Sequence, residues 1–134
     1  MSKKYKILVV DREEIILKSI NKALKKSVDL EYEITTCNTA LDSLKLIRSN
    51  TFDLVLIDLV LPGLDGIEIL RRIKNINPEI FIILMTGFSS TEIYTGRTNE
   101  EMSLKEIVKG AAGILFKPFT TEEINKLVSS VLQQ

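Results

Sequence analysis

The chain has 134 residues, 45% of them hydrophobic and 27% charged, and its 18 basic side chains are balanced by 18 acidic ones. This length and composition predict one soluble globular domain over residues 1–134. The lack of net positive charge and of a dense Lys/Arg run argues against direct nucleic-acid binding. Because histidine is absent and Cys37 is the only cysteine, a Ser-His-Asp triad, a histidine-ligated metal and an internal disulfide are excluded within this chain.

The N-terminal residues lack the apolar core of a signal peptide. No apolar run approaches the roughly 18–20 residues that a membrane helix needs. We therefore expect a cytoplasmic protein without membrane association.

The first half of the chain alternates apolar runs with segments of helical periodicity. The apolar runs predict strands over Tyr5–Val10 and Asp53–Asp58, with a more polar edge strand over Tyr32–Cys37 between them. The first helix is predicted to bury one face, made of Ile15, Ile16, Ser19, Ile20, Ala23 and Leu24. The second is predicted to begin at a cap on Asn38 and to bury Leu41, Leu44 and Ile47.

The second half continues the same alternation. A third helix over Gly66–Asn75, with Ile67, Leu70 and Ile73 inward, is predicted to end before Asn77-Pro78. Ile80–Thr86 is the most apolar run and predicts a central strand, and Gly113–Phe116 predicts the fifth strand. The last helix is predicted to begin at Thr120 with a capping box to Glu123, and to bury Ile124, Leu127, Val128 and Val131.

Five strand–helix units in series predict an α/β fold, a doubly wound parallel sheet with helices on both faces. Asp11, Asp58, Thr86 and Lys117 end the first, third, fourth and fifth strands. The carboxyl ends of parallel strands share one edge of the sheet, which is where such folds bind ligands. A carboxylate at the end of a buried strand is costly unless something uses it. The joint placement of these residues therefore predicts a functional site at that edge.

Four motifs lie on these elements in order: residues 7–11 (ILVVD), 58–66 (DLVLPGLDG), 84–87 (LMTG) and 110–119 (GAAGILFKPF). With them the chain, from Ile7 to Leu132, resembles the CheY-like receiver domain of two-component response regulators. The resemblance implies a flavodoxin-like five-stranded sheet with strand order 2-1-3-4-5 and a cis Lys117–Pro118 bond.

The resemblance also implies the chemistry of the site, for which an aspartate nucleophile suits an acyl phosphate. By this likeness Asp58 is the phosphoacceptor. The implied Mg²⁺ site consists of Asp11, Asp58 and the backbone of Val60, with Glu13 as a further candidate, and the phosphoryl-binding and switch residues are Thr86, Gly87 and Lys117. The implied partners are a histidine kinase or phosphotransfer protein, a downstream output domain or protein, and a second copy in a homodimer. The chain would assist its own phosphotransfer and would not be a turnover enzyme.

Three features depart from the family pattern. Arg12 stands where the family has a second metal-binding acid. Three roles are open for Arg12. Turned inward, its side chain would disfavour Mg²⁺ binding, and turned into water it would leave the ion to the remaining acids. In the third, Arg12 itself neutralises Asp58 or a phosphoryl group. Ile114 stands where the family has an aromatic ring that turns inward on activation. The interval between Thr86 and Lys117 is longer than usual, with the surplus around 89–102, before or within the fourth helix.

The alternative function is an atypical receiver that acts as a phosphate-independent protein-interaction module, which Arg12 and Ile114 favour. A phosphatase of the dehalogenase type is disfavoured because Val60 stands where such enzymes need an acid. A flavodoxin-type cofactor site is disfavoured because the acidic loop after the first strand would repel a phosphate.

Overall fold

The structure of the protein, a computed structural model, describes residues 3–61, 66–87 and 109–134, without the side chains of 66 and 67. Its five strands are β1 (Lys4–Val10), β2 (Glu31–Cys37), β3 (Leu54–Asp58), β4 (Phe81–Thr86) and β5 (Gly113–Phe116). They form one sheet in the order β2-β1-β3-β4-β5, and every neighbouring pair is parallel. The predicted sheet and its strand order are confirmed.

Four helices lie in the described part of the chain: α1 (Glu14–Lys25), α2 (Ala40–Ser49), α3 (Gly66–Ile76) and α4 (Thr121–Leu132). Alternate residues of the central strands point to opposite faces of the sheet, so Leu8 and Val55 pack with α2 and α3 while Val9 and Leu56 pack with α1 and α4. The sheet is therefore the middle layer of three, with a hydrophobic core on each side. No described helix is long and apolar enough to cross a membrane.

The predicted inner faces of α1 and α2 need correction. Ile15 is 74% exposed and Ser19 is also exposed, whereas Leu17 is buried in the core. Ile15 lies two residues before Leu17, about 200° away around the helix, so the two side chains cannot share a face. On α2, Leu41 is 59% exposed because it lies beside the buried line that begins with Ala40.

The helix caps were predicted in part. Thr39, and not Asn38, caps α2, since its Oγ1 accepts a hydrogen bond from the backbone N–H of Asp42 at 3.1 Å. The capping box that begins α4 is confirmed. Leu127 of α4 is only partly buried, whereas its other predicted core positions are buried. The side chain of Ile67 and the surplus at 89–102 lie outside the described residues.

Candidate functional site

The parallel register brings the predicted site residues together at the carboxyl edge of the sheet. Val10 of β1 pairs with Ile57 of β3, so the next residues, Asp11 and Asp58, are neighbours at the strand ends. Thr86 pairs with Phe116 of β5, and the backbone N–H of Lys117 then donates to the Thr86 carbonyl at 2.8 Å. The four strand-end residues thus converge, as the sequence predicted.

Lys117 connects the two acids. Its Nζ lies 2.8 Å from Oδ2 of Asp11 and 2.8 Å from Oδ2 of Asp58. Asp11 is fully buried, Asp58 is 9% exposed, and the Lys117 side chain is 23% exposed. Two carboxylates and one ammonium leave this cluster one negative charge, held mostly away from water.

The second oxygen of each carboxylate is fixed by the backbone that follows it. Oδ1 of Asp11 accepts the N–H of Glu13 at 2.8 Å, and Oδ1 of Asp58 accepts the N–H of Val60 at 2.8 Å. Such Asx turns are a common use of aspartate where a strand ends. Both carboxylates are therefore oriented before any ligand arrives. The sequence analysis named the Val60 backbone as a metal ligand but did not predict either hydrogen bond, although an Asp at the end of a strand is a recognisable signal for such a turn.

The remaining predicted residues frame the same edge. Thr86 is 2% exposed at the end of β4. A Cβ added at Gly87 would meet no atom of the described residues within 4 Å. The Lys117–Pro118 peptide bond is cis. Ile114 is half-buried and packs against the core on the α2 and α3 side of the sheet.

Burial and pairing shift the ionisation of the central residues. Burial raises the pKa of the Asp58 carboxyl, although its hydrogen bonds to Lys117 and to the Val60 amide act in the opposite direction. Burial alone would lower the pKa of Lys117, but hydrogen bonds and charge interactions with Asp58 and Asp11 together raise it. The pairing therefore favours the ammonium form of Lys117, and the Asp58 carboxyl is poorly solvated and held in a fixed orientation.

The donor set is compatible with a Mg²⁺ ion. Mg²⁺ is commonly held by one or two carboxylates, with water and phosphate oxygens as its other ligands, and Asp11 and Asp58 provide two such carboxylates. Glu13 is exposed, and the described residues contain no group of three acidic, cysteine or histidine side chains that would hold a metal. The roles of Glu13 and of the Val60 backbone as metal ligands therefore stay predictions.

Three of the four large exposed hydrophobic side chains in the described ranges lie near this edge: Ile15, Leu41 and Val60. Ile15 and Leu41 belong to the first turns of α1 and α2, and Val60 follows Asp58 by two residues. Apolar side chains are therefore exposed near this edge, and two of them, Ile15 and Leu41, were predicted to be buried.

Comparison with known proteins places the chain among receiver domains. The family model described as "Response regulator receiver domain" matches residues 7–129. Sporulation initiation phosphotransferase F of Bacillus subtilis is 33% identical over 127 residues, which cover 95% of this chain and 93% of that protein. The transcriptional regulatory protein ZraR of Klebsiella oxytoca is 32% identical over 126 residues, which cover 94% of this chain. The match spans only 26% of ZraR, about a quarter of that regulator.

A solved structure shows the same likeness. The response regulator protein TrrA of Thermotoga maritima, in complex with Mg²⁺-BeF, superimposes with a TM-score of 0.74 at 28% identity and covers 95% of this chain and 98% of TrrA. The comparisons give no support to the phosphate-independent alternative.

Proposed function

Because the chain belongs to the response regulator receiver domain family, we propose that it accepts a phosphoryl group on Asp58 and changes a partner-binding surface in response. The observation that carries this proposal is the position of Lys117, whose Nζ contacts both Asp58 and Asp11 at 2.8 Å. A paired ammonium beside an oriented, poorly solvated carboxylate suits phosphoryl transfer, which needs mainly positioning and charge neutralisation.

The phosphodonor in this proposal is a phosphohistidine of a kinase or phosphotransfer protein. A carboxylate oxygen of Asp58 forms the new bond to phosphorus while the bond from phosphorus to the histidine nitrogen breaks. The electron pair of the broken bond stays on that nitrogen, and Asp58 becomes an acyl phosphate. Because Lys117 already contacts Asp58, its ammonium can neutralise charge on the phosphoryl oxygens with little rearrangement.

The Asx turns give Asp58 and Asp11 fixed orientations, so the protein loses little conformational freedom when the donor binds. Mg²⁺, when held by Asp11, Asp58 and the Val60 carbonyl, would add positive charge next to the transferred group. The Mg²⁺-BeF complex of TrrA supports the choice of this ion.

The response to phosphorylation would pass through the end of β4. Thr86 is buried, and its carbonyl accepts the N–H of Lys117. A change of charge on Asp58 alters the ion pair of Lys117, and with it the balance of contacts around Thr86 and Gly87. Ile114 carries no aromatic ring, so the proposed response depends on Thr86 and the backbone next to it.

The proposed partners are a histidine kinase or phosphotransfer protein upstream and an output domain or protein downstream. A homodimer is the proposed assembly, and the cytoplasm is the proposed location. The chain assists its own phosphorylation and would not turn over a substrate. The names of a phosphotransferase and a transcriptional regulator among the relatives support the proposed upstream and downstream partners.

Intact mass after incubation with acetyl phosphate and Mg²⁺ tests the function. We expect one phosphoryl adduct in the wild-type chain and none in Asp58→Asn. Asp53→Asn is the matched control, because Asp53 precedes the opposite end of β3, where it accepts the N–H of Lys6. An adduct that persists in Asp58→Asn, or no adduct in a folded wild-type chain, would refute the proposal.

A further inference from the structure

Arg12 is a charged residue at the edge of the site with no role in the mechanism above. Its side chain is exposed, and it forms no hydrogen bond or ion pair with another described residue. An arginine held by a neighbouring acid would have to leave that partner before binding a ligand. Within the described part of the chain, Arg12 has no such partner to leave.

The backbone places Arg12 next to the cluster formed by Asp11, Lys117 and Asp58. The hydrogen bond from Glu13 to Asp11 closes a turn over Arg12, as the bond from Val60 to Asp58 closes a turn over Leu59. β1 and β3 pair up to Val10 and Ile57, and Arg12 directly follows Asp11, whose Oδ2 shares the Lys117 ammonium with Oδ2 of Asp58. Asp11 is fully buried and Arg12 is exposed, so the Arg12 side chain extends into solvent next to the buried acid cluster.

Phosphorylation would leave the site short of positive charge. Before the reaction, the carboxylates of Asp11 and Asp58 and the ammonium of Lys117 sum to one negative charge. In the acyl phosphate the Asp58 carboxylate charge is gone, but the phosphoryl group adds about two negative charges. The same cluster then carries about two negative charges, and one further cation would restore the starting balance.

We propose that Arg12 binds the phosphoryl group on Asp58 from the solvent side and partly replaces a divalent ion in neutralising it. This inference rests on the proposed function of Asp58. The planar guanidinium presents paired N–H donors that can bond to two phosphoryl oxygens at once. A lysine ammonium is a point charge and lacks this paired geometry. Arg12 donates hydrogen bonds and transfers no proton.

The test is the rate of phosphorylation by acetyl phosphate, followed by intact mass with EDTA or with Mg²⁺. In this reaction a carboxylate oxygen of Asp58 bonds to phosphorus, and acetate leaves with the electron pair of the broken P–O bond. With EDTA we expect Arg12→Gln to react about tenfold more slowly than wild type, the effect of losing a charge-assisted hydrogen bond. Arg12→Lys should lie between the two, and Mg²⁺ should narrow the gap.

Arg48→Gln is the matched control. Arg48 is also exposed and free of ion pairs with described residues, but it lies in the last turn of α2, at the end of that helix away from the site. Its loss lowers the net charge by the same amount and should leave the rate within twofold of wild type. Circular dichroism of each variant establishes that the fold is kept.

A second readout reports contact directly. In the ¹⁵N-labelled chain, the side-chain Nε–H signal of Arg12 should shift when acetyl phosphate is added, and the shift should be absent in Asp58→Asn. Two results would overturn the role of Arg12 alone. The first is equal rates for Arg12→Gln and Arg48→Gln, and the second is a wild-type chain that forms an adduct with Mg²⁺ but none with EDTA. A wild-type chain without an adduct in either condition would overturn the proposed function and this inference together.

Discussion

Lys117 and Asp58 are 59 residues apart in the sequence, yet their Nζ and Oδ2 atoms lie 2.8 Å apart. The contact exists because β3, β4 and β5 are consecutive parallel strands, which carry both residues to one edge of the sheet. The same ammonium holds Asp11 at 2.8 Å. One side chain therefore stabilises two acids that would otherwise repel each other in a poorly solvated site.

Replacing Lys117 with methionine should destabilise the fold at neutral pH. The change leaves two neighbouring carboxylates without a counter-ion, and we expect a loss of about 2–3 kcal/mol in the free energy of unfolding. Without the ammonium, the pKa of Asp58 in the folded chain rises further above its pKa in the unfolded chain. The loss of stability is therefore present above the unfolded-state pKa and shrinks as the pH falls toward about 4. Urea denaturation across this pH range measures it.

The double variant Asp58→Asn/Lys117→Met is the control for that measurement. It removes one of the two repelling charges and should recover more than half of the lost stability. A deficit in Lys117→Met that stays constant with pH, or that the second substitution does not reduce, would contradict the ion-pair explanation.

The single variant Asp58→Asn should be more stable than wild type at pH 7. Burial raises the pKa of Asp58 in the folded chain, so ionising it lowers stability as pH rises through that range. An amide removes this cost while Lys117 keeps Asp11 as its partner. We expect a gain of about 1 kcal/mol, or roughly 3 °C in Tm, that fades in acid. Differential scanning calorimetry at pH 7 and at pH 4 measures both values, and a lower Tm at pH 7 would argue against this electrostatic assignment.

Cys37 should react slowly with alkylating reagents. Burial, with a smaller contribution from the charge of Asp42, raises the pKa of its thiol to about 11. Because the thiolate is the nucleophile, iodoacetamide at pH 8 should modify the folded chain roughly tenfold more slowly than the urea-unfolded chain. The rate in the folded chain should still be increasing with pH at pH 10. A plateau near pH 9 would show that the thiol is not perturbed.

Thr120→Ala should weaken the N-terminus of α4. The substitution removes the hydroxyl that accepts the N–H of Glu123 at 3.1 Å, and losing such a cap costs about 1 kcal/mol. Thr121→Ala is the matched control, since Thr121 is an exposed residue of the first turn and is not the cap. Thermal unfolding of the two variants should separate them, and equal melting temperatures would contradict the capping role.

Four of the five strands could be predicted because each is a short apolar run that ends at a polar residue or a turn, and β2 could be predicted as a more polar edge strand. Their observed bounds differ from the predicted ones by at most one residue. The phase of α1 could not be fixed in the same way. Ile15, Ile16 and Leu17 are consecutive apolar residues, so periodicity alone does not say which of them faces the sheet. Packing against the sheet selects Leu17 and leaves Ile15 in water.

The members of the site could also be predicted, because residues that end parallel strands share an edge. Their hydrogen bonds could not be predicted, since these depend on strand register and side-chain rotamers. The 2.8 Å contacts of Lys117 with Asp11 and Asp58 are one example. For Arg12 the sequence left three roles open, and in the structure its side chain is exposed and not turned inward.

The measurement that tests the central claim most directly locates the phosphoryl group on the chain. Borohydride reduces an acyl phosphate of aspartate to homoserine, which peptide mass spectrometry can assign to one position. After treatment with acetyl phosphate and Mg²⁺, we expect homoserine at position 58 only, and none at Asp11 or Asp53. Homoserine at another aspartate, or none in a chain whose intact mass shows the adduct, would contradict Asp58 as the phosphoacceptor.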